Sequence, residues 1–264
     1  MARPGPGRFA GKTALVTGGG SGIGAAVCRR LDAAGASVAV VDIDGTAAAK
    51  VAADLRSGRA MAVDVAAAAE VDRAVAEAMC ELGGLDVVVH AAGVDDPVAK
   101  QRIADALVRG ESPDVTSGLD DETWRRVLSV NLDGTFHVLR AAVRAMLPRG
   151  SGAIVAIGSS AAFDAPLGYP HYSASKAGVH ALAQSVAKEV IGFGIRVNVV
   201  APGPTDTGMA ARTPEPLRQA FSGGRVRPYA TAEEIADVVL FLAGDEAANV
   251  VGAVVLANGG RFTA

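Results

Sequence analysis

The sequence predicts an α/β protein with a doubly wound parallel sheet. Short runs rich in valine, isoleucine and alanine recur along the 264 residues, and continuous apolar runs suit strands covered on both faces. The segments between them have helical periodicity, and alternating strands and helices favour right-handed crossovers. Because the chain is half apolar and no linker or repeat interrupts the pattern, we expect one domain over 1–264.

Seven strands and six helices are predicted in alternation. The strands are "TALVTG", "SVAVVD", "RAMAVDV", "LDVVVHAAG", "GAIVAIGS", "IRVNVVAPG" and "GAVVLANGG". The helices are Gly22 to Ala34, Thr46 to Leu55, Ala67 to Leu82, Leu119 to Met146, Ser173 to Ile191 and Ala232 to Ala243. The first helix follows a glycine-rich turn, and Asp42 closes the second strand.

Two segments break this alternation, and both begin where a strand ends. Residues 94–119 follow the fourth strand and include a short amphipathic piece with Val98, Ile103 and Leu107. Residues 203–229 form a proline-containing loop after the sixth strand. Ligands of such sheets bind beyond the carboxyl ends of the strands. We therefore interpret the segments as a lid and a substrate loop, with surface insertions as the alternative.

Composition and charge exclude several classes of function. The net charge of -3 and the absence of a basic run argue against nucleic acid or an anionic membrane as a partner. The opening "MARPGPGRFA" lacks the apolar core of a secretory signal, and no eighteen apolar residues run together, so we expect a cytoplasmic protein. Cys28 and Cys80 are expected to be reduced and buried. The four scattered histidines give no support for a metal site.

The stretch "TGGGSGIG" predicts a dinucleotide site. It lies between the first strand and the first helix, where glycines let backbone N–H groups approach a pyrophosphate at a helix N-terminus. The predicted contacts of this turn are Gly18, Ser21, Gly22, Ile23 and Gly24.

Asp42 predicts NAD, as NADH when reduced, rather than NADP. A carboxylate at the end of the second strand accepts hydrogen bonds from the ribose hydroxyls and repels the additional phosphate of NADP. Ser21 stands where an arginine would hold that phosphate. The alternative is an aspartate that only caps a turn.

Tyr172 and Lys176 predict a general acid and base. They stand four residues apart and therefore share a helix face, whereas Tyr169 has Ser173 at that distance. A cation about 4 Å from a phenol favours the phenolate by roughly 4 kcal/mol at an effective dielectric near 20. This shift of about three pKa units would place the phenol near pH 7, where proton transfer is most efficient. A surface Tyr/Lys pair is the alternative.

These motifs resemble those of the short-chain dehydrogenase/reductase family over nearly the whole chain. The resemblance depends on "TGGGSGIG", "VDV" around Asp64, "VNLDGTF" around Asn131, "GSS" at Ser159, "YSASK" and "RVNVVAPGPTDT". It implies a three-layer Rossmann fold with sheet order 3-2-1-4-5-6-7. It also implies the compact one-domain, NAD(P)-dependent branch of the family, and with Asp42 we expect an NAD-dependent oxidoreductase that interconverts a secondary alcohol and a ketone.

The resemblance assigns roles to individual residues. It implies a catalytic tetrad in which Ser159 and Tyr172 contact the substrate oxygen, Lys176 also holds the nicotinamide ribose, and Asn131 positions Lys176 through water. Further cofactor contacts carried over by position are Asp64, Val65, Ala91, Ala92, Gly93, Pro202, Gly203, Thr205 and Thr207. Each could instead be an ordinary strand-end residue. A homotetramer formed through the helices of Asn131 and Tyr172 is also implied.

The sequence departs from the family after the fourth strand, where "HAAG" replaces N-N-A-G. His90 and Ala91 stand in place of two asparagines, and we expect His90 to have a structural rather than a catalytic role. A hydrophobic cleft is predicted near the tetrad, and it favours a substrate with a hydrophobic body, although core packing explains the same residues. The predicted cleft residues are Phe163, Leu167, Tyr169, His171 and Met209.

Two other functions remain open on the sequence. A 3-oxoacyl thioester reductase shares the tetrad, but such reductases generally prefer NADPH, which Asp42 disfavours. A non-enzymatic NAD(H)-binding redox sensor belongs to another class. Such sensors tend to lose the catalytic tyrosine or lysine, whereas this chain keeps both Tyr172 and Lys176.

Overall fold

The computed structural model describes residues 7–222 and 229–264, with the side chains of 221 and 222 left aside. Residues 1–6 and the part of the predicted substrate loop at 223–228 lie outside the described residues.

A seven-stranded parallel sheet forms the centre of the fold. Its strands are β1 (Thr13–Thr17), β2 (Ser37–Asp42), β3 (Gly58–Ala62), β4 (Val87–His90), β5 (Gly152–Ile157), β6 (Ile195–Pro202) and β9 (Val254–Ala257). They are ordered β3-β2-β1-β4-β5-β6-β9, and every neighbouring pair is parallel. The short strands β7 (Thr205–Asp206) and β8 (Ala230–Thr231) pair separately. The predicted doubly wound order is therefore confirmed, with β9 as the seventh strand.

Helices cover both faces of the sheet. They are α1 (Gly22–Ala33), α2 (Gly45–Ala53), α3 (Ala68–Leu82), α4 (Pro97–Arg109), α5 (Asp121–Leu128), α6 (Gly134–Met146), α7 (Ala161–Asp164), α8 (Pro170–Val190), α9 (Gly208–Ala211), α10 (Glu215–Ser222) and α11 (Ala232–Ala243). One core cluster joins the sheet to α3, α6 and α8, and a second joins it to α1, α2 and α11. These two cores give the three-layer architecture.

The edge strand β3 differs from its prediction as a strand covered on both faces. Met61 is buried, but Arg59, Ala60 and Ala62 are exposed. β3 pairs only with β2 in the described sheet, so its outer side faces solvent. The apolar residues of this strand therefore did not mean that β3 is buried on both faces.

The predicted helix from Leu119 to Met146 is divided into two helices by a turn of π-helix. Asp120 caps α5 by accepting a hydrogen bond from the Thr123 backbone N–H at 2.7 Å. The π-helical turn Ser129–Asp133 contains Asn131, whose side chain bonds the backbone of Val94. Such turns are often found at functional sites.

α4 buries a different face from the one its apolar residues predict. Ile103 is buried, but Val98 and Leu107 are exposed, and the buried positions next to Ile103 are occupied by Ala99 and Lys100. Lys100 can be buried because it forms an ion pair with Asp95.

The two cysteines differ in burial. Cys28 is buried, and this burial raises the pKa of its thiol to about 12. Cys80 is exposed, so its predicted burial was wrong. The buried stripe of α3 runs through Val71, Ala74 and Ala78, and Cys80 lies outside it.

Across 7–222 and 229–264, the helices are too short or too polar to cross a lipid bilayer.

Candidate active site

A cavity of about 450 Å³ opens beyond the carboxyl ends of the strands. Every predicted cofactor contact lines it, and so does Ser159. These residues are Gly18, Ser21, Gly22, Ile23, Gly24, Asp42, Asp64, Val65, Ala91, Ala92, Gly93, Tyr172, Lys176, Pro202, Gly203, Thr205 and Thr207. The fold therefore brings the glycine turn and the Tyr172–Lys176 pair to the same cavity.

The glycine turn has the geometry that a pyrophosphate needs. Gly18 has a φ of +66°, and a Cβ there would lie 2.6 Å from the Ala92 backbone nitrogen. A Cβ on Gly24 would collide with the Gly18 carbonyl oxygen. The first turn of α1 has no acidic residue, and no side chain in the described structure caps it. Its backbone N–H groups are thus available to an anion, which fits a dinucleotide.

Asp42 joins the glycine turn to the end of β2. Its carboxylate accepts hydrogen bonds from the backbone N–H groups of Gly20 and Asp44, each at 3.0 Å. An ionised carboxylate has about four acceptor positions, so acceptor capacity remains on the cavity side. Asp42 therefore caps the turn, which is the alternative that the sequence left open, and it also lies on the cavity wall.

Lys176 is buried, and its Nζ donates to the carbonyl oxygen of Ile157 at 2.9 Å. Burial lowers the pKa of Lys176 from 10.5 to about 8. The ammonium form consequently still predominates at neutral pH, although it is held at a cost in desolvation.

The pKa of Tyr172 is shifted in the direction opposite to the expected one. Burial raises it, a hydrogen bond with Ser159 lowers it, and the negative charge of Asp95 raises it further. The simple estimate from the charge of Lys176 left out this burial. Ser159 itself is fixed by a hydrogen bond from its backbone N–H to His180 Nε2 at 3.3 Å.

His180 was missed by the sequence reasoning. It stands eight residues after Tyr172 and four after Lys176, so the same helix periodicity that pairs those two also indicates it. Burial, and secondly the charge of Lys176, lower its pKa to about 4. His180 is therefore a neutral acceptor for the backbone of Ser159.

Asn131 is fully buried behind the cavity wall. Its Oδ1 accepts from the Val94 backbone N–H at 2.8 Å, and its Nδ2 donates to Val94 O at 3.0 Å and to Ser175 Oγ at 3.1 Å. A Cβ on Gly93 would lie 3.2 Å from Asn131 Oδ1 and 3.4 Å from Lys176 Nζ. Asn131 therefore ties the turn after β4 to α8, close to Lys176.

His90 connects two central strands. Its Nδ1 lies 2.7 Å from Thr17 Oγ1, and the two residues are partners in the β1–β4 register. Burial, and secondly the charge of Lys176, lower the pKa of His90 to about 3. The imidazole is neutral and braces the strands, in the position where the family has an asparagine amide.

Above Tyr172, α4 and α10 meet in a small hydrophobic cluster. It contains Ala99, Ile103, Ala104, Val115, Tyr169 and Leu217, and Tyr172 packs against it. Of the predicted cleft residues, Tyr169 and Met209 line the cavity.

The other three predicted cleft residues lie elsewhere. Phe163 and Leu167 are exposed to solvent, and His171 is buried against Asp96 with Nε2–Oδ2 at 3.2 Å. Two further cavity residues, Asp95 and Lys100, were missed because nothing in the sequence shows that these charges are buried together.

Comparison with known proteins agrees with this geometry. The family described as short chain dehydrogenase matches residues 12–217. The chain is 36% identical over 260 residues to galactitol 2-dehydrogenase (L-tagatose-forming) of Cereibacter sphaeroides, with 96% of each chain covered. It is 39% identical over 261 residues to cis-4-hydroxycyclohexanecarboxylate dehydrogenase of Sinomonas cyclohexanicum, with 96% of this chain and 97% of the relative covered.

A third relative is a reductase. The chain is 33% identical over 264 residues to the 3-oxoacyl-(acyl-carrier-protein) reductase FabG of Escherichia coli K12, with 96% of this chain and 98% of the relative covered. The matched region includes the glycine turn, Asn131, Ser159, Tyr172 and Lys176. The chain therefore belongs to the short chain dehydrogenase family and is an oxidoreductase that acts on CH–OH groups.

Proposed function

We propose that the protein is an NAD(H)-dependent dehydrogenase that interconverts a secondary alcohol and a ketone. The observation that carries this proposal is the position of Ser159, Tyr172 and Lys176 on one cavity together with the glycine turn. This arrangement supports proton transfer to a substrate oxygen beside a bound dinucleotide.

Each residue of the proposed site has its own role in the interconversion of alcohol and ketone. Tyr172 takes the hydroxyl proton of the alcohol as phenolate, and as phenol it donates a proton to the ketone oxygen. Ser159 donates a hydrogen bond to the same oxygen, where negative charge develops. Lys176 supplies a positive charge on the same cavity, and Asn131 holds the turn next to it. The nicotinamide, when bound, accepts or provides the hydride.

The cofactor of this proposal is NAD rather than NADP. The support is Asp42, whose carboxylate lines the cavity after β2, and Ser21, which offers no positive charge there. Asp42 also disfavours the alternative of an NADPH-dependent 3-oxoacyl thioester reductase, although one relative carries that name. A lower Kd for NADPH than for NADH would contradict this choice.

The substrate proposed here has an apolar part, and two segments enclose it. Tyr169, Met209 and Pro166 line the cavity. The packing of α4 against α10 supports the interpretation of 94–119 as a lid and of the described part of 203–229 as a substrate loop. The redox sensor stays the weaker alternative, since Tyr172 and Lys176 are both present.

Assembly as a homotetramer is part of the proposal. Trp124 on α5, Phe136 on α6 and Phe193 just after α8 are exposed, and they lie on or beside the helices that the resemblance implies. Location in the cytoplasm stays a prediction.

The proposal is tested by NADH formation from a panel of cyclic and acyclic secondary alcohols. Tyr172→Phe should lower kcat by about 10²- to 10⁴-fold, while its Kd for NADH stays close to that of the wild-type protein. Turnover that survives in Tyr172→Phe, or no turnover of any alcohol or ketone in the panel, would contradict the proposal.

A further inference from the structure

A group of buried charges lies beside Tyr172, on the cavity wall formed by the turn before α4. Asp95 and Lys100 are 5% and 7% exposed, and both line the cavity. Their Oδ2 and Nζ atoms are 2.5 Å apart. The proposed proton transfer uses neither residue.

The ammonium group of Lys100 is held by other groups of the chain. Besides Asp95, its Nζ donates to Met209 O at 3.2 Å and to Thr213 Oγ1 at 3.0 Å. Two of its three hydrogens are therefore donated to the chain, and its charge is paired with that of Asp95. Lys100 therefore neutralises the charge of Asp95 on the cavity wall and does not offer a site for an anion.

Asp95 keeps the capacity to accept. Its other oxygen, Oδ1, has a long contact of 3.5 Å with Arg212, whose side chain is 57% exposed. A carboxylate has about four acceptor positions. Asp95 can therefore accept a hydrogen bond from an uncharged donor in the cavity, and a carboxylate ligand at the same place would meet its negative charge.

Tyr169 provides a hydroxyl group that can donate a hydrogen bond to a ligand, which complements the acceptor Asp95. Its side chain is 7% exposed and lines the cavity, but its hydroxyl has no hydrogen-bond partner within the described part of the chain. Its ring lies edge-on to that of Tyr172, with 6.4 Å between the centroids. Burial of a hydroxyl is unfavourable unless it is hydrogen-bonded. An empty partner position beside the reacting centre therefore indicates a ligand group.

We propose that Asp95 and Tyr169 bind a second hydroxyl group of the substrate, a few bonds away from the carbinol carbon that reacts. Asp95 accepts the hydrogen of this hydroxyl, and the Tyr169 hydroxyl donates to its oxygen. The preferred substrates are therefore diols and longer polyols rather than simple alcohols or hydroxy acids that carry a carboxylate at this position. This inference deepens the proposed function and rests on it.

The test compares alcohols that differ by one hydroxyl. The pairs are butane-2,3-diol with butan-2-ol, and cyclohexane-1,2-diol with cyclohexanol, each with saturating NAD. The wild-type kcat/KM should favour the diol of each pair by about tenfold, as expected for a hydrogen bond to a charged group. Tyr169→Phe, which keeps the ring of the cluster, should lose most of this preference through slower diol turnover.

Asp95→Asn should also lose the preference, and Asp105→Asn serves as its matched control. Asp105 is exposed on α4, where it accepts from Gln101 Nε2 at 2.7 Å, so its variant should keep the wild-type ratio. If Asp95→Asn does not fold, Tyr169→Phe alone decides the question.

The outcomes separate the two proposals. Equal kcat/KM for diol and mono-ol in the wild-type protein, or an unchanged ratio in Tyr169→Phe, overturns the second hydroxyl site. The proposed function then still stands if Tyr172→Phe is inactive on these alcohols. If no alcohol is oxidised in a Tyr172-dependent way, both proposals fail.

Discussion

Burial sets the protonation of the ionisable residues around the tetrad. The pKa of His90 falls to about 3 and that of His180 to about 4, so both imidazoles are neutral near pH 7. Lys176, with a pKa of about 8, and Tyr172, with a raised pKa, are left to titrate at higher pH. The chemistry of the cavity should therefore respond mainly to alkaline pH.

Alcohol oxidation should become faster as the pH rises into the alkaline range, because it uses the phenolate of Tyr172 and burial raises the pKa of this phenol. Asp95→Asn removes a negative charge that raises this pKa further, so the rise should move to lower pH. The measurement is kcat/KM for oxidation of butan-2-ol against pH, in wild-type and variant protein. A profile that stays at the same pH in Asp95→Asn would contradict the assigned effect of Asp95.

His90→Asn should keep turnover within about threefold, since an amide can replace the hydrogen bond to Thr17. The unfolded chain binds a proton on His90 below its ordinary pKa of 6.5, whereas the folded protein does so only near pH 3. His90 therefore makes the protein less stable as the pH falls through this window.

Thermal unfolding at a series of pH values measures this contribution. The Tm of His90→Asn should decrease less than that of the wild-type protein between pH 6.5 and 4. A large loss of turnover in His90→Asn would instead give His90 a part in the chemistry.

Single residues differ in how far the sequence predicts them. Gly18, Asp42 and Tyr172 could be predicted because strand, turn and helix spacing fix their positions along the chain. The direction in which the pKa of Tyr172 is shifted could not be predicted, because it depends on how deeply the phenol is buried. For the same reason, the buried pair of Asp95 and Lys100 reads in the sequence as two ordinary surface charges.

At the scale of elements, we expect the packing of α4 against α10 to affect substrate binding. Leu217 is 3% exposed and lies in the cluster that joins them above Tyr172. Leu217→Ala should destabilise the protein by about 2 kcal/mol or more. It should also raise KM for the alcohol, because the packing over the cavity loosens, while the Kd for NADH stays unchanged.

Leu107→Ala is the control for this prediction, since Leu107 lies on α4 but is 43% exposed. Chemical denaturation and steady-state kinetics measure both variants. An equal KM in the two variants would show that the contact between α4 and α10 does not govern substrate binding.

The sequence predicted most elements because apolar runs and helical periodicity repeat clearly along the chain. It did not predict the faces of α4, since alanine and a paired lysine are buried there while Val98 and Leu107 are exposed. Nor did it predict the π-helical turn Ser129–Asp133, which contains the Asn131 that bonds the backbone of Val94. Such features depend on tertiary contacts rather than on local pattern.

At the scale of the whole molecule, the proposed homotetramer can be tested at the exposed aromatic residues. Light scattering should give four times the chain mass of 26.5 kDa. Phe136→Glu should reduce this mass, because a charge is introduced on an apolar face of α6, whereas Val108→Glu on the exposed side of α4 should leave it unchanged. A wild-type monomer at micromolar concentration would refute the tetramer.

The segment 205–213 contacts the glycine turn at one end and Lys100 of α4 at the other. A Cβ on Gly22 would lie 3.2 Å from Thr207 Cγ2 at one end, while Met209 O and Thr213 Oγ1 receive the hydrogens of Lys100 at the other. We expect coenzyme bound at the glycine turn to order this segment, and the alcohol to bind only afterwards. The coenzyme is then first on and last off, and product-inhibition kinetics should show NADH competing with NAD while the ketone does not.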